Sequence, residues 1–351
     1  MVLPAPAQRA RRRDRGDPVR RGRSGDDLEH AAVPRAGGDP VSTPVVVAPT
    51  EEEARAPGEV RRGGWFIRIT IAVIAVLWSI PTAGVLVTSF RPERLVDTSG
   101  WWTVLANPFR AAEWTIENYR LAIEAEGLGN AFMNSLAVAI PATVIPIAIA
   151  AFAAYAFSWM EFRGRYILFV AVVGLMVVPL QMALIPVLRL FVGGATLFGL
   201  RVFPDLDLNQ SFLGIWLAHT GFGLPLATYL LYNYVASLPS SIIESAKIDG
   251  ADHFTIFWRL IIPLSVPALA AFAIFQFMWV WNDLLVAYVL LGGAQENRVL
   301  TVALRNLVGA RGENWHLLTA AAFISMSLPL VVFFSLQKYF VRGLTAGAVK
   351  G

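Results

Sequence analysis

Apolar residues in this chain collect into six long uncharged runs, with the polar residues gathered between them. The runs are Ile69–Ser89, Asn134–Met160, Tyr166–Leu188, Phe212–Val235, Leu260–Asn282 and Leu317–Leu336. A bilayer core of about 30 Å takes roughly 20 helical residues, so each run is long enough to cross one. The fifth continues past a single charge, Asp283, to Leu291. Prolines interrupt most of the runs (Pro81, Pro141, Pro146, Pro179, Pro186, Pro225, Pro267, Pro329). In water they would argue against helix. In a membrane bundle, neighbouring helices re-satisfy the freed carbonyls. The pattern predicts an all-α polytopic membrane protein with six transmembrane helices.

Composition supports that reading and adds a boundary. The chain has 351 residues, 56% of them hydrophobic and 15% charged, against about 25% charged in soluble domains. Residues 1–64 hold 12 Arg and 10 Asp or Glu, 22 of the 54 charges. The remaining 287 residues are too apolar for a water-soluble globule. Two regions are therefore expected: a disordered Arg/Pro/Gly-rich tail over 1–64, and a six-span domain over 65–351. The tail is not a cleavable signal peptide, since the first apolar run starts near residue 65 and is too long for an h-region. An even number of spans puts both termini on one side. The Arg-rich tail and the basic short loops on that side place them in the cytoplasm. The net charge of +4 then faces the cytosol or membrane lipid, and nucleic acid need not be invoked.

Several chemistries are excluded. There is no cysteine, hence no disulfide, thiolate metal site or Cys nucleophile. The three lysines, Lys247, Lys338 and Lys350, are followed by Ile, Tyr and Gly. A phosphate-cradling loop needs Gly-Lys-Ser/Thr, so ATP and Mg are not expected on this chain. The four histidines are scattered and no His-Glu-x-x-His occurs. No catalytic residue and no metal ligand is assigned; the chain reads as a transporter rather than an enzyme.

The most informative segment is the loop 238–264. Ser241 and Glu244 have the Ser-x-x-Glu spacing of a capping box, so a short helix should start there. Gly250 falls where that helix must stop, and a left-handed residue suits Gly. Asp252 is placed to cap a second helix. Its Phe254, Phe257, Trp258 and Ile261 fall at i, i+3, i+4 and i+7, one apolar face. Pro263 marks the start of the fifth span. A helix, a break and a second helix on a cytoplasmic loop make a docking element.

Glu244-Ser245-Ala246, three residues, Gly250, nine residues and Leu260-Ile261-Ile262-Pro263 resemble the EAA loop of binding-protein-dependent ABC importers. Ser245, Leu260 and Ile262 are mild departures from that pattern. Further segments are similar to the maltose-type carbohydrate permease subunits. They are Trp114–Tyr119, Asn134-Ser-Leu, Phe162–Arg165, Phe275–Phe277, Trp281–Asp283, Glu296–Arg298 and the ending Gly343–Gly351. The stretch Gly193–Gln210 looks longer than usual for that family. The resemblance implies a type I ABC importer permease fold in the cytoplasmic membrane of a prokaryote. The implied partners are a second six-span permease subunit, two ATPase subunits that bind ATP and Mg, and an extracytoplasmic solute-binding protein. It also implies that the loop couples transport to ATP hydrolysis through Glu244, Ser245, Ala246, Asp249, Gly250 and Pro263. Glu244 would make a charged contact there and Gly250 would set the angle between the two helices.

Polar groups inside a span are costly and invite a functional role. Gln276, Trp279 and Asp283 lie at i, i+3 and i+7, on one face of a continuous helix, with Asn282 beside them. Amide and carboxylate groups exchange hydrogen bonds with hydroxyls and an indole stacks on a sugar ring, so this stripe suits a carbohydrate such as an oligosaccharide or glucoside. The structural alternatives are an interhelical hydrogen bond for Gln276 and an interfacial aromatic belt for Trp279 and Trp281. Trp216, His219 and Thr220 in the fourth span and Gln181 in the third read as packing. Two other functions compete: import of a different small solute, since the EAA loop is shared across substrates, and a stand-alone secondary transporter. The latter would need paired ionisable residues at mid-membrane, for which only His219 and Asp283 qualify.

Overall fold

A computed structural model describes residues 64–124, 127–307 and 314–346. The tail expected over 1–64 lies outside the described residues except for Gly64, as do residues 347–351 of the C-terminal motif. The chain opens with α1 (Trp65–Ser89), 25 residues with Pro81 inside, of which only Gly84 and Ser89 are buried. Trp65, Phe66, Ile71 and Trp78 are among its exposed side chains. Apolar surface on that scale has no place in water.

The connection that follows holds α2 (Glu93–Thr98) and α3 (Glu117–Glu124). It is pinned back on the end of α1 by polar groups. The Asn118 amide donates to the carbonyls of Ser89 and Arg91 at 2.9 and 2.8 Å. The buried Arg91 guanidinium donates to the Ser99 carbonyl and to the hydroxyls of Ser99 and Thr103. Then comes α4 (Leu128–Trp159), 32 unbroken residues that include Pro141 and Pro146. Its buried Ala142, Pro146, Ala150 and Ala154 repeat every four residues. Small residues in that row let neighbouring helices approach closely, and α4 packs along α7 (Phe212–Ala236) and α10 (Ile262–Trp281).

The third apolar run departs from expectation. It is a bent pair and not one straight span over Tyr166–Leu188. α5 (Arg165–Gly174) and a 3₁₀ turn at Leu175–Val177 lead to α6 (Leu180–Gly193), which is turned by 106°. Val178 is extended (ψ 116°) and Pro179 stands at the N-cap of α6. A residue before proline is driven out of helical geometry in this way. The stretch after it is not helical either. β1 (Ala195–Leu197) and β2 (Leu200–Phe203) form an antiparallel hairpin, a small exception to the all-α expectation. Its two turn residues, Phe198 and Gly199, both have positive φ (49° and 80°), as tight hairpin turns require.

α8 (Ser240–Ile248) and α9 (His253–Ile256) follow α7, and a π turn at Phe257–Ile261 leads into α10. The chain then runs through α11 (Leu285–Leu291), α12 (Leu300–Leu307) and α13 (Trp315–Ala346). α13 packs against α1 and α10. Two apolar clusters fill the interior. One joins α4, α7, α10, α11 and α12 around Ala142, Phe277 and Leu290. The other joins α4 and α7 to the α8–α9 loop around Ala154, Leu231, Ile243 and Phe257. By length and composition four of the described helices are apolar enough to cross a membrane, and five if the bent pair counts as one. α7 matches them in length at 25 residues but carries Trp216, His219, Thr220, Thr228 and Asn233.

Candidate functional site

The loop 238–264 is built much as its sequence suggests, with two corrections. α8 begins at Ser240 with Pro239 as its N-cap and no side-chain cap. Pro239 already fixes a φ of −60° before the helix, which moves the N-cap two residues back and puts Ser241 inside the helix. The capping box between Ser241 and Glu244 is therefore not formed. Glu244 is exposed, with no hydrogen bond or ion pair among the described residues. Beside it Ser245 is exposed and Ala246 half-buried.

The break after α8 is fully formed. Asp249 is the exposed C-cap, and Gly250 is left-handed with φ 82°. The Gly250 amide donates to the Lys247 carbonyl at 3.1 Å and the Ala251 amide to the Ala246 carbonyl at 2.9 Å. These are the two bonds of a Schellman termination. Asp252 caps α9 by accepting from the Thr255 amide at 2.9 Å. Hydrogen bonding to Thr255 also holds the Asp252 carboxyl below its ordinary value.

The second correction concerns the apolar face. Phe257 and Ile261 are buried, together with Ile256, whereas Phe254 is 68% and Trp258 47% exposed. Phe254 and Trp258 pair on one side of the helix while Ile256, Phe257 and Ile261 are covered by α4, so the i, i+3, i+4, i+7 set does not share one buried face. Phe254 and Trp258 meet edge to face, ring centres 6.1 Å apart, on the open side of the loop. Pro263 stands just beyond the π turn, inside a helix that runs on from α9 through α10, and removes one backbone donor there.

The stripe in the fifth run is rearranged. α10 ends at Trp281 and α11 starts at Leu285, so the helix does not continue through Asp283 as expected. Asp283 turns back to cap α11, accepting from the amides of Val286 and Ala287 at 3.3 and 2.9 Å. Asn282 is exposed and donates to the Met278 carbonyl. Gln276 is buried, its amide donating to the Ala142 carbonyl of α4 at 3.2 Å, while its own oxygen has no partner. Gly223 of α7 leaves the space for this bond: a Cβ there would lie 2.6 Å from Gln276 Nε2. Trp281 is buried and donates to the Ser325 carbonyl, so it does not belong to an interfacial belt.

Trp279 is half-buried and meets His219 edge to face at 5.9 Å. His219, read from the sequence as packing, is 1% exposed and stands 3.7 Å from the Asp283 carboxylate, itself 12% exposed. Neither ring nitrogen of His219 has a hydrogen-bond partner. A small cavity lies between them, lined by Ser135, His219, Trp281 and Asp283 among others. The structure thus joins Trp279 and Asp283 through a residue of another span. One ionisable side chain in each of two apolar runs was the available signal. Of the other polar residues considered, Trp216 donates to the Ala137 carbonyl, Thr220 is buried and Gln181 is exposed on α6. Among the described residues no cluster of three or more metal-ligating side chains occurs.

Comparison with known proteins gives this arrangement a context. Residues 146–346 match the family described as binding-protein-dependent transport system inner membrane component. An osmoprotective compounds uptake permease protein of Synechocystis sp. is 55% identical, over 81% of this chain and 91% of its own length. An alpha-glucoside transport system permease protein of Rhizobium meliloti is 42% identical, over 82% and 97%. In structure, the chain is similar to one from a bacterial ABC transporter involved in the import of the acidic polysaccharide alginate. The TM-score is 0.63 at 21% identity, covering 80% of this chain and 97% of that one.

Proposed function

Since the chain belongs to the family of binding-protein-dependent transport system inner membrane components, we propose that it is a six-span permease subunit of an ATP-driven carbohydrate importer. The four long apolar helices, the bent pair α5–α6 and the more polar α7 make up the six spans. Both termini then face the cytoplasm, in the cytoplasmic membrane of a prokaryote. The complete importer has a second permease subunit, two ATPase subunits holding ATP and Mg, and an extracytoplasmic binding protein. The solute is an oligosaccharide or glucoside, in keeping with the 42% identical relative named for alpha-glucosides.

The observation that carries the reading is the loop α8–Gly250–α9. It offers an unpaired carboxylate at Glu244 and two exposed aromatics at Phe254 and Trp258. Its inner side is sealed to α4 and α7 by Ile243, Ile256 and Phe257. A loop rigidly attached to the spans with Phe254 and Trp258 turned outward fits a cleft on an ATPase subunit. Closure of the ATPase pair around ATP drags the loop, and the spans rock from an inward-facing to an outward-facing cavity.

On the solute path, Trp279 and Asn282 are the groups of the stripe open to a sugar. Gln276 and Asp283 hold the helices that present them, and Gln276 keeps a free acceptor. The reading is tested by reconstituting the complex in proteoliposomes and following a labelled alpha-glucoside. Uptake that requires ATP and the binding protein is expected. Uptake driven by an ion gradient without ATP would make the chain a secondary transporter.

A second reading keeps the importer and changes the solute, because the 55% identical relative is named for osmoprotective compounds. Competition of labelled glucoside uptake by a zwitterionic osmolyte separates the two. The tail over residues 1–64 is assigned no part in transport. Deletion of residues 1–60 is expected to leave uptake unchanged at equal membrane abundance, and a loss of uptake would show that the tail docks a partner.

A further inference from the structure

Helix α4 is hydrogen-bonded near each end to a segment far away in sequence. Near its C-terminal end the Tyr155 hydroxyl and His253 Nδ1 lie 2.7 Å apart. His253 is the first residue of α9, directly after the cap Asp252. Tyr155 is buried. Phe257 of the π turn stacks on Phe152 at 4.5 Å and packs on Tyr155 at 5.6 Å. The buried Ala150, Ala151 and Ala154 let Ile256, Phe257 and Ile261 settle against the same side of α4. Toward the opposite end, Asn134 Nδ2 donates to the carbonyls of Glu296 and Arg298 at 2.8 and 3.1 Å. Ser135 Oγ accepts from the Leu300 amide at 2.8 Å.

Asn134 and Tyr155 are about 32 Å apart along a helix that rises 1.5 Å per residue, and no break interrupts α4 between them. The covalent route from the loop into α10 is different. It passes through the π turn at Phe257–Ile261, a widened turn that breaks the regular α-helical ladder. A displacement of α8–α9 therefore has a tied route through α4 as well as the irregular one through α10.

We propose that α4 carries displacement of the loop across the membrane to the segment 296–300, latched by Tyr155–His253 at the loop end and by Asn134 and Ser135 at the far end. The inference rests on the reading of α8–Gly250–α9 as the coupling loop. Tyr155, His253 and Asn134 are positioning residues, touching neither nucleotide nor solute. His253 is also exposed and within reach of a partner, whereas Tyr155 is not, which allows the latch to be tested apart from any direct contact.

The test uses the full importer in proteoliposomes and reads solute imported per ATP hydrolysed. The variants are Tyr155→Phe, His253→Ala, the pair together, and Asn134→Ala. Tyr155→Phe keeps the ring and removes only the hydroxyl. Tyr155→Phe and His253→Ala are each expected to lower the ratio about fivefold, the factor that corresponds to one hydrogen bond, with basal ATPase activity unchanged in Tyr155→Phe. The pair should lose no more than either alone, as two ends of one contact do. Asn134→Ala should act in the same direction. A wild-type ratio in Tyr155→Phe, or losses that add in the pair, overturns the latch. Gly250→Val run alongside keeps the two readings apart. If it uncouples while Tyr155→Phe does not, the coupling loop stands and the latch fails. If neither uncouples, the coupling reading itself has failed.

Discussion

A purified importer carrying Gly250→Val is expected to assemble in the membrane and yet lose solute-stimulated ATPase activity. Gly250 holds φ 82° between α8 and α9, and nothing lies within 4 Å of where a Cβ would stand. A side chain is therefore not excluded by any neighbour. The penalty is in the backbone, about 1–3 kcal/mol for a β-branched residue held left-handed. The chain escapes that cost by leaving the left-handed region. It then loses the Gly250 and Ala251 amide bonds to Lys247 and Ala246, and α8 swings relative to α9. α8 carries Glu244, and the far side of the break carries Phe254 and Trp258, so the two halves of the docking surface no longer match one cleft. The spans lie outside this change and should insert normally. Gly250→Asn is the control, because Asn tolerates left-handed geometry better than other side-chain-bearing residues. Stimulation should fall in the order Gly, Asn, Val. Full stimulation in the Val variant would remove Gly250 from the coupling geometry.

The elements that were legible in the sequence are those fixed by local chemistry. α1, α4, α10 and α13 follow from long uncharged apolar runs, and the stop at Gly250 and the cap at Asp252 follow from residues suited to those positions. What escaped was set by competition between neighbours. Prolines fall within most of the apolar runs, so Pro179 gave no sign that the chain turns 106° there while Pro141 and Pro146 sit inside one continuous helix. The π turn leaves no compositional trace, and it is packing against α4 that decides that Phe257 is buried while Trp258 is not. Asp283 was visible as an isolated charge, but the apolar residues on both sides concealed that it ends one helix and caps the next. Its meeting with His219 needed the packing of α7 on α10, which periodicity within either run does not contain. Glu244 shows the opposite case, a local motif present in the sequence and overridden by Pro239, two residues before Ser241.

Trp279→Ala is expected to raise the half-saturating solute concentration for uptake about tenfold or more while leaving basal ATPase activity intact. The indole is half-buried against His219, and burying its remaining face on a sugar ring accounts for about 2 kcal/mol of apolar contact. Substitution at Asp283 separates presentation from contact on the same path. Asp283→Ala leaves the Val286 and Ala287 amides without their acceptor, a loss of about 1 kcal/mol or more at an N-cap. It also removes the group facing His219. Less assembled complex should be recovered from the membrane, at a lower unfolding temperature. Asp283→Asn keeps one acceptor oxygen where the carboxylate uses two, so one of the two amide bonds survives and the loss of assembly should be smaller than in Asp283→Ala. A fall in affinity at equal recovery of assembled complex then measures what the carboxylate contributes to the solute. Near-wild-type uptake in Asp283→Asn with a large loss in Trp279→Ala would assign the contact to the indole and leave Asp283 the task of holding α11. Unchanged uptake in Trp279→Ala as well would move the path off this face of α10 and onto the second permease subunit.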